Sequence, residues 1–365
     1  MNTFLENAEQ TAFDLRILYE KYGYSRYKMS KFEEYDLYVR NKDFLVSDNV
    51  ITFNDTDGRL MALKPDVTLS IINNLDIQGK STQKVYYNEN VYRVSKGTNS
   101  FKEIMQVGLE CMGQVDDYCI SEVITLAARS LDAVSNEFVL DISHQGILKS
   151  VLDNLGIEEE YKTDVIKFIE EKNANGIETV LSAAGKDSTL IKKLISTYGS
   201  CDRVFPLLDE ITTEENKDII DNFKYIVKSI ENAGFKNKIS IDFSLVSDMN
   251  YYNGFVFKGF ISGIASAVLS GGQYDKLMKK MNKGCSAIGF AVYVDMLSRY
   301  NKPAKASDVD IVVLYDDKVD ITTIQKTVKT FCDMGKTVFA AKEKPEHITW
   351  DKLYEIVGEE AKHIE

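Results

Sequence analysis

The fold of the chain follows from residues 85–113, which read VYYNENVYRVSKGTNSFKEIMQVGLECMG. Two runs rich in aromatic and β-branched residues flank a segment at 95–100 that contains Ser, Lys, Gly and Asn. Aromatic and β-branched side chains fit a pleated surface, whereas a tight reversal of the chain favours Gly and Asn. The stretch therefore predicts a long antiparallel hairpin.

The second run of this hairpin alternates in polarity. Val107 and Leu109 are apolar, and they alternate with Gln106, Gly108 and Glu110. Because successive side chains of a strand point to opposite faces, one face carries an amide, a glycine and a carboxylate. That face is either the floor of a binding cavity or a sheet face exposed to solvent, since both produce the same alternation.

The composition limits the classes of function. The chain of 365 residues carries 44 Lys and Arg against 56 Asp and Glu, for a net charge of -12. Affinity for nucleic acid rests mainly on cations, so no large nucleic-acid surface is expected. No apolar run approaches the roughly 20 residues of a membrane span, and the N-terminus does not resemble a signal peptide. These features predict a cytoplasmic protein.

The cysteines and histidines indicate neither a disulfide framework nor a zinc site. There are five cysteines, scattered and without a Cys-x-x-Cys pair, and three histidines. Metal and disulfide frameworks require closer and more regular spacing. We therefore expect buried free thiols.

The residues before the hairpin predict helices and short strands. Patterns indicate an amphipathic helix over 6–22, a mixed strand and short helix over 24–45, and a hairpin over 50–63. A helix is expected over 69–75. Asp66 precedes it and either caps its free N–H groups or directs its carboxylate at a ligand cation.

After the central hairpin, strand patterns enclose a long helical block. The block covers 145–237, and its charged runs indicate solvated helix faces, so it is interpreted as a helical insertion against the sheet and not as a site in itself. Gly271 and Gly272 mark either a tight bend after a strand or a place where a ligand approaches the backbone. The other predicted elements are a helix at 119–134, strands at 137–142, 239–243, 254–260 and 265–269, and a strand leading into a helix at 287–297.

The C-terminal residues predict a small α/β unit. A linker is expected over 301–307, from its composition. The unit that follows is expected to contain a strand at 309–315, a helix at 321–334, a strand at 337–340 and a final helix at 352–363.

Five motifs in order carry a family resemblance. The central hairpin resembles motif 2 of a class II aminoacyl-tRNA synthetase, and the motifs together resemble the histidyl-tRNA synthetase lineage over about residues 5–300. That lineage contains true synthetases and a paralogue that makes no aminoacyl-tRNA, the regulatory subunit of short-form ATP phosphoribosyltransferase. The motifs are LKPDVT at 63–68, QVGLE at 106–110, NYYNG at 250–254, GGQYD at 271–275 and GFA at 289–291.

The resemblance implies the fold class and the domains. It implies an α+β fold with a mainly antiparallel sheet flanked by helices, as in class II synthetases. Residues 1–300 would form the synthetase-like core with an insertion at about 145–237, and residues 308–365 a truncated α/β domain. Synthetases continue into an anticodon-binding domain, so the short C-terminal unit and the negative charge argue against tRNA binding.

Departures from the family pattern fall in the ATP site. In the synthetases, arginines stand at the positions of Ser247 and Met296. The first arginine lies beside the reacting carboxylate and the α-phosphate, and the second binds ATP. Adenylate formation depends on cationic stabilisation of phosphates, so these losses predict an inactive ATP site. Arg93 retains the first arginine of motif 2 but lacks the glutamate two residues later, where Ser95 stands. It is either a remaining phosphate contact or a remnant that forms a local salt bridge.

The amino-acid pocket of the family is retained. A zwitterion with a polar ring needs carboxylates for its ammonium, partners for its ring nitrogens and aromatic walls, because unpaired buried polar groups are costly. In the family, the positions of Asp66 and Thr68 bind the ammonium of the ligand. The positions of Gln106 and Glu110 line the floor of the pocket, and those of Tyr252 and Tyr274 close around the imidazole. The implied histidine-binding residues are Asp66, Thr68, Gln106, Glu110, Tyr252 and Tyr274.

Together these features predict a non-catalytic regulatory subunit, with no cofactor and no metal. It would bind the catalytic subunit of short-form ATP phosphoribosyltransferase, activate it and transmit inhibition by histidine. Two alternatives are a divergent histidyl-tRNA synthetase and a stand-alone histidine sensor. A symmetric homodimer is expected through the aromatic cluster of motif 1 at 27–45. Its contact residues would be Phe32, Tyr35, Leu37 and Tyr38.

Overall fold

Two compact units make up the chain, residues 1–300 and residues 301–365. A computed structural model describes residues 7–42, 45, 50–75, 81–95, 98–246, 251–297, 307–358 and 360–365. The predicted linker at 301–307 lies outside these residues except for its last position.

The larger unit is organised on a sheet of eight strands. The two edge pairs, β1 with β5 and β7 with β8, are parallel and the inner pairs antiparallel, so the predicted mainly antiparallel sheet is confirmed. In spatial order the strands are β1 (Ser25–Arg26), β5 (Gln83–Val94), β6 (Phe101–Gly113), β11 (Ser286–Tyr293), β10 (Leu269–Gln273), β9 (Phe255–Ile261), β7 (Phe138–His144) and β8 (Ile239–Ile241).

The predicted central hairpin is the pair β5 and β6. These strands pair from Gln83 opposite Met112 to Val94 opposite Phe101, and the reversal is closed by the Ser95 N–H bonded to the Ser100 carbonyl at 2.9 Å. Because the ladder is uninterrupted over this length, the alternation of β6 places one set of side chains on each face of the sheet.

Helices cover one face of this sheet. Helices α1 (Asn7–Lys21) and α4 (Asp117–Val134) pack there, and the Val107 and Leu109 side chains of β6 are fully buried in the same apolar core. The opposite face carries a second core around α3 (Val67–Asn74). A small sheet lies before α3, in the order β2 (Phe32–Glu34), β4 (Leu60–Leu63) and β3 (Thr52–Asn54), with α2 (Tyr35–Arg40) after β2.

The predicted helical block follows β7. Each helix buries apolar residues at helical spacing, as expected of amphipathic helices on a shared core. Of the helices in the described part of the chain, none combines the length and apolar character that a membrane span requires. The block contains α5 (Gln145–Asn154), α6 (Glu159–Glu170), α7 (Ala174–Ala183), α8 (Thr189–Ser196), α9 (Cys201–Glu210), α10 (Lys217–Ile230) and a π-helical turn, Glu231–Phe235.

One strand prediction near the glycine pair is wrong. The residues 265–268 are not a strand, and β10 instead runs through Gly271 and Gly272. The pair therefore marks neither a bend nor a strand end. A Cβ on Gly272 would lie 2.6 Å from the ring of Tyr252, so glycine is required there for that side chain to pack on the sheet. Helix α11 (Asp275–Lys280) follows β10, and a 3-10 turn, Val294–Leu297, follows β11.

In the smaller unit, the predicted strand, helix and strand are confirmed as β12 (Val309–Leu314), α12 (Ile321–Asp333) and β13 (Val338–Ala341). The predicted final helix at 352–363 is wrong. Those residues form β14 (Trp350–Val357) and β15 (Glu360–His363), which complete a sheet in the order β13-β12-β14-β15. Parallel pairing of β14 with β12 buries Leu353 and Ile356, and this packing outweighs the helical composition.

The free thiols are only partly buried. Cys111, Cys119 and Cys201 are buried, as expected, whereas Cys285 is half-buried and Cys332 is exposed. The expectation of buried thiols is therefore wrong for the last two.

Candidate ligand-binding site

A cavity of about 870 Å³ lies against the face of the large sheet opposite α1 and α4. This volume is within the usual range for small-molecule sites. The sheet supplies its floor, while α3 and α6 contribute residues to its walls. All seven residues selected from the sequence line it: Asp66, Thr68, Arg93, Gln106, Glu110, Tyr252 and Tyr274.

Glu110 is the most deeply buried acid of the cavity, with 2% exposure. Its carboxylate accepts hydrogen bonds from Thr68 Oγ1 at 2.7 Å and from Tyr274 Oη at 2.5 Å. Burial raises the pKa of Glu110 to about 8, because desolvation disfavours the charged form more than these two hydroxyls stabilise it. An added positive charge in the cavity would favour the ionised carboxylate.

The position of this carboxylate depends on Gly289. Gly289 lies opposite Glu110 in the pairing of β6 with β11. A Cβ at Gly289 would come within 1.6 Å of Glu110 Oε2, so any larger residue would displace the carboxylate. The glycine of the GFA motif is thus required by the acid on the neighbouring strand.

Asp66 is the N-cap of α3, one of the two roles that the sequence left open. Its side chain accepts a hydrogen bond from the Leu69 N–H at 2.8 Å. Burial raises the pKa of Asp66, and the N–H groups of the helix and the charge of Arg93 oppose that rise. Because Asp66 also lines the cavity, capping the helix and facing a ligand are compatible.

Gln106 has unused hydrogen-bonding capacity. Its side chain is 4% exposed, lines the cavity and has no hydrogen-bond partner within the described residues. Because the amide lines the cavity, a polar ligand group there could replace water as its hydrogen-bond partner.

Aromatic rings form one wall of the cavity. Tyr251 lies between Tyr252 and Tyr274, with ring centroids 4.6 Å and 6.0 Å away respectively. Desolvation raises the pKa values of Tyr251 and Tyr274 well above their usual range, so both phenols remain neutral. Tyr251 was not selected from the sequence, although it is adjacent to Tyr252.

The two motif cations beside α3 have different surroundings. Arg93 donates from Nε to the Pro65 carbonyl at 3.0 Å. Lys64, where the synthetases have arginine, is fully buried and its Nζ lies 3.0 Å from Glu89 Oε2. Burial lowers the pKa of Lys64, although Glu89 opposes this. The charge of Lys64 is therefore neutralised by its ion pair with Glu89.

Two contributions to the cavity were missed by sequence reasoning. Lys258 of β9 lines the floor, and α6 supplies Glu159, Lys162 and Glu170. The interpretation of the helical block as separate from any site is therefore wrong for α6. The alternation of β9 separates Lys258 from its apolar neighbours, but only the pairing register places it on the same face as the polar residues of β6.

Of the two lost arginine positions, only one lies in the described residues. Ser247 lies outside them. Met296 is 42% exposed on the 3-10 turn, where its Sδ accepts a hydrogen bond from Ser266 Oγ at 3.7 Å. A thioether carries no charge that could stabilise phosphate. Among the described residues, no group of His, Cys, Asp or Glu could hold a metal ion.

Comparisons with known proteins identify the family. The family model for histidyl-tRNA synthetase matches residues 3–297. The ATP phosphoribosyltransferase regulatory subunit of Bacillus mycoides is 30% identical, over 86% of this chain and 77% of the relative. The chain belongs to the histidyl-tRNA synthetase family, on the branch of ATP phosphoribosyltransferase regulatory subunits.

Solved structures of the family share the fold. A regulatory subunit/histidyl-tRNA synthetase from Bacillus halodurans superposes with a TM-score of 0.79 at 21% identity, covering 96% of this chain and 94% of that one. A chain of the Thermotoga maritima ATP phosphoribosyl transferase (HisG:HisZ) complex gives a TM-score of 0.64 at 20% identity, covering 80% of this chain and 98% of that one. The predicted class II synthetase-like fold is confirmed.

Proposed function

We propose that this chain is the non-catalytic regulatory subunit of a short-form ATP phosphoribosyltransferase. A separate catalytic subunit would join ATP and phosphoribosyl pyrophosphate, the first step of histidine biosynthesis. This chain would activate that subunit and transmit inhibition by histidine. The names of its relatives support the regulatory role. The observation that supports histidine as the ligand is the retained polar cavity around Glu110.

The cavity favours an amino acid with a polar ring. Glu110 and Asp66 are buried acids that an ammonium or an imidazolium would neutralise, and the amide of Gln106, which lines the cavity, provides a further hydrogen bond. Tyr252 and Tyr274 supply an aromatic wall. Because each buried polar group is costly without a partner, histidine fits this set better than an apolar amino acid.

Absence of adenylation activity is part of this proposal. Met296 stands where the synthetases place an ATP-binding arginine, and its exposed position on the 3-10 turn offers no cation to phosphate. The purified chain, incubated with histidine and ATP, should show no histidine-dependent exchange of pyrophosphate into ATP. Exchange above background would favour the divergent synthetase.

Assembly with a catalytic subunit distinguishes the proposal from a stand-alone sensor. Co-expression with a short-form catalytic subunit of the same source should give a complex that co-purifies, and mass measurement would give its stoichiometry. Phosphoribosyltransferase activity should appear only in the complex. If the two chains do not associate and the catalytic subunit is active alone, the stand-alone sensor is favoured.

We also propose that the chain forms a symmetric homodimer in the cytoplasm through the motif 1 region. Phe32 is half-exposed and packs edge-on against Phe53 at 5.7 Å, which leaves an apolar surface on the small sheet. Tyr38 is fully buried and donates to Glu33 at 2.6 Å, so it supports this surface instead of forming it. Phe32→Asp should halve the mass of the isolated chain in solution, whereas an unchanged mass would contradict this placement.

A further inference from the structure

Three cations in the part of the chain that the structure describes line the cavity: Arg93, Lys162 and Lys258. Lys162 is already neutralised, because its Nζ lies 2.6 Å from Glu159 and 3.6 Å from Asp153. Arg93 bonds to the Pro65 carbonyl and lowers the pKa of Asp66 by its charge. Lys162 is therefore ion-paired, and Arg93 is held by a backbone carbonyl next to Asp66.

Lys258 differs from these two cations. It is half-buried on the central part of β9, and within the described residues its ammonium has no hydrogen-bond or ion-pair partner. The acid opposite it on the neighbouring strand is Asp141, whose pKa is raised by burial, while Ser240 and the charge of Lys172 oppose that rise. An ammonium that lines a cavity and has no counter-ion among the described residues can bind an anion.

The pairing register places Lys258 across the floor from Glu110. One row of the sheet runs from Gly108 through Ala291 and Ser270 to Lys258, and the side chains of the last three share one face. Strands β6 and β9 are three spacings apart, roughly 14 Å. The residues between them in this row are small, and the hydroxyl groups of Tyr87 and Tyr293 lie over the row beside Gly108 and Ser270.

The acids near β6 and the ammonium of Lys258 line opposite sides of one cavity. An amino acid with its ammonium or ring against the acids near β6 would direct its carboxylate along the floor toward β9. The family holds that carboxylate with the arginine that is replaced by Ser247 in this chain. We propose that Lys258 binds the carboxylate of the amino-acid ligand and so supplies, from a different strand, the positive charge that the motif has lost. This inference rests on the proposed function.

The proposal predicts discrimination by the carboxylate. Histamine retains the imidazole and the ammonium of histidine but lacks the carboxylate, so it makes every contact except the one assigned to Lys258. A charge-assisted hydrogen bond contributes about 10- to 100-fold in affinity. Wild-type protein should therefore prefer histidine to histamine by about that factor.

Calorimetric titration of the full chain with both compounds tests this. Lys258→Met keeps the aliphatic stem, and it should weaken histidine binding about 10- to 100-fold while leaving histamine binding unchanged. Lys258→Arg should recover part of the histidine affinity. Lys162→Met is the matched control, since its charge is already paired, and it should change neither affinity more than about twofold.

The outcomes separate this inference from the proposed function. If wild-type protein binds histidine but Lys258→Met retains the same ratio of histidine to histamine affinity, the assignment of Lys258 is wrong and the site itself stands. A loss of this ratio in Arg93→Met instead would assign the carboxylate to Arg93. If wild-type protein binds neither compound, the histidine site and the role of Lys258 both fail.

Discussion

The two faces of strand β6 differ in what they pack against, although their residues alternate in one chain segment. On one face, Val107 and Leu109 have no exposure and lie in the main apolar core with α1 and α4. On the other face, Gln106 and Glu110 are equally deep, at 4% and 2% exposure, yet they line a cavity.

Burial has different consequences on the two faces of β6. The apolar face is buried by its own neighbours and stabilises the fold, because it removes apolar surface from water. The polar face is buried without a full set of partners, and desolvation raises the pKa of Glu110 to about 8. The apolar face is therefore expected to stabilise the fold, whereas the polar face is expected to bind ligand and, through the buried Glu110, to make stability depend on pH.

The largest expected effect is on the core face. Leu109→Ala removes buried methyl groups and leaves a cavity between the sheet and the helices, which costs about 2–5 kcal/mol of unfolding free energy. Chemical denaturation measures this loss. If the variant were as stable as the wild type, the two faces would not differ in the way proposed.

The next effect is on the pH dependence of stability. Glu110 is buried with its pKa raised from 4.5 to about 8, so the folded state holds a proton that the unfolded state releases between these values. Its contribution to stability is intact below pH 4.5 and declines as pH rises through the window, by on the order of 3 kcal/mol between pH 5 and 8.

Glu110→Gln isolates this contribution, because glutamine keeps the shape and stays neutral. Relative to wild type, the variant should gain stability from pH 5 to pH 8 in the absence of ligand. Denaturation curves at both pH values provide the measurement. Parallel pH profiles for the two proteins would show that Glu110 titrates normally and is not desolvated by the fold.

Ligand binding should act through the polar face. At about a hundred times its dissociation constant, histidine should add about 2.7 kcal/mol of stability, a shift of several degrees in melting temperature for a chain of this size. Glu110→Ala should remove most of that shift, measured against the variant's own unliganded melting temperature because the substitution also leaves the hydroxyls of Thr68 and Tyr274 without their acceptor. A full shift in Glu110→Ala, measured by differential scanning fluorimetry, would exclude Glu110 from the site.

The smallest effect on stability is expected at Asp66, where a cap and a proposed ligand contact share one carboxylate. Asparagine caps helices about as well as aspartate, so Asp66→Asn should change unfolding free energy by less than about 0.5 kcal/mol and still weaken histidine binding. Asp66→Ala should lose both the helix cap and the proposed ligand contact, with about 1 kcal/mol of destabilisation. Equal histidine affinity in wild type and Asp66→Asn would leave Asp66 with the capping role alone.

Much of this comparison was predictable from local sequence. The alternation of Gln106 and Glu110 with Val107 and Leu109 has the period of a strand, and the turn at 95–100 sets the hairpin. The order of five motifs brought together residues from α3, β6 and β10 that are far apart in the chain. These signals require no knowledge of which strands become neighbours.

The wrong or missing predictions concern residues whose structure depends on contacts with elements distant in the sequence. Leu353 and Ile356 are buried by parallel pairing with β12, so residues with a helical composition form a strand. Gly272 is required by the ring of Tyr252, which no local pattern shows. Lys258 and the α6 residues reach the cavity only because of sheet register and helix placement, neither of which the sequence reveals.

The most direct test of the account is an activity measurement on the reconstituted complex. The catalytic subunit would be titrated with wild-type chain or with Glu110→Ala, and the formation of phosphoribosyl-ATP followed at increasing histidine concentration. An inhibitor must bind the inactive state of the complex more tightly than the active state. The account predicts that both chains activate the catalytic subunit and that histidine inhibits only the wild-type complex. Equal inhibition of both complexes at the same histidine concentration would contradict it, because the effector site would then lie outside this cavity.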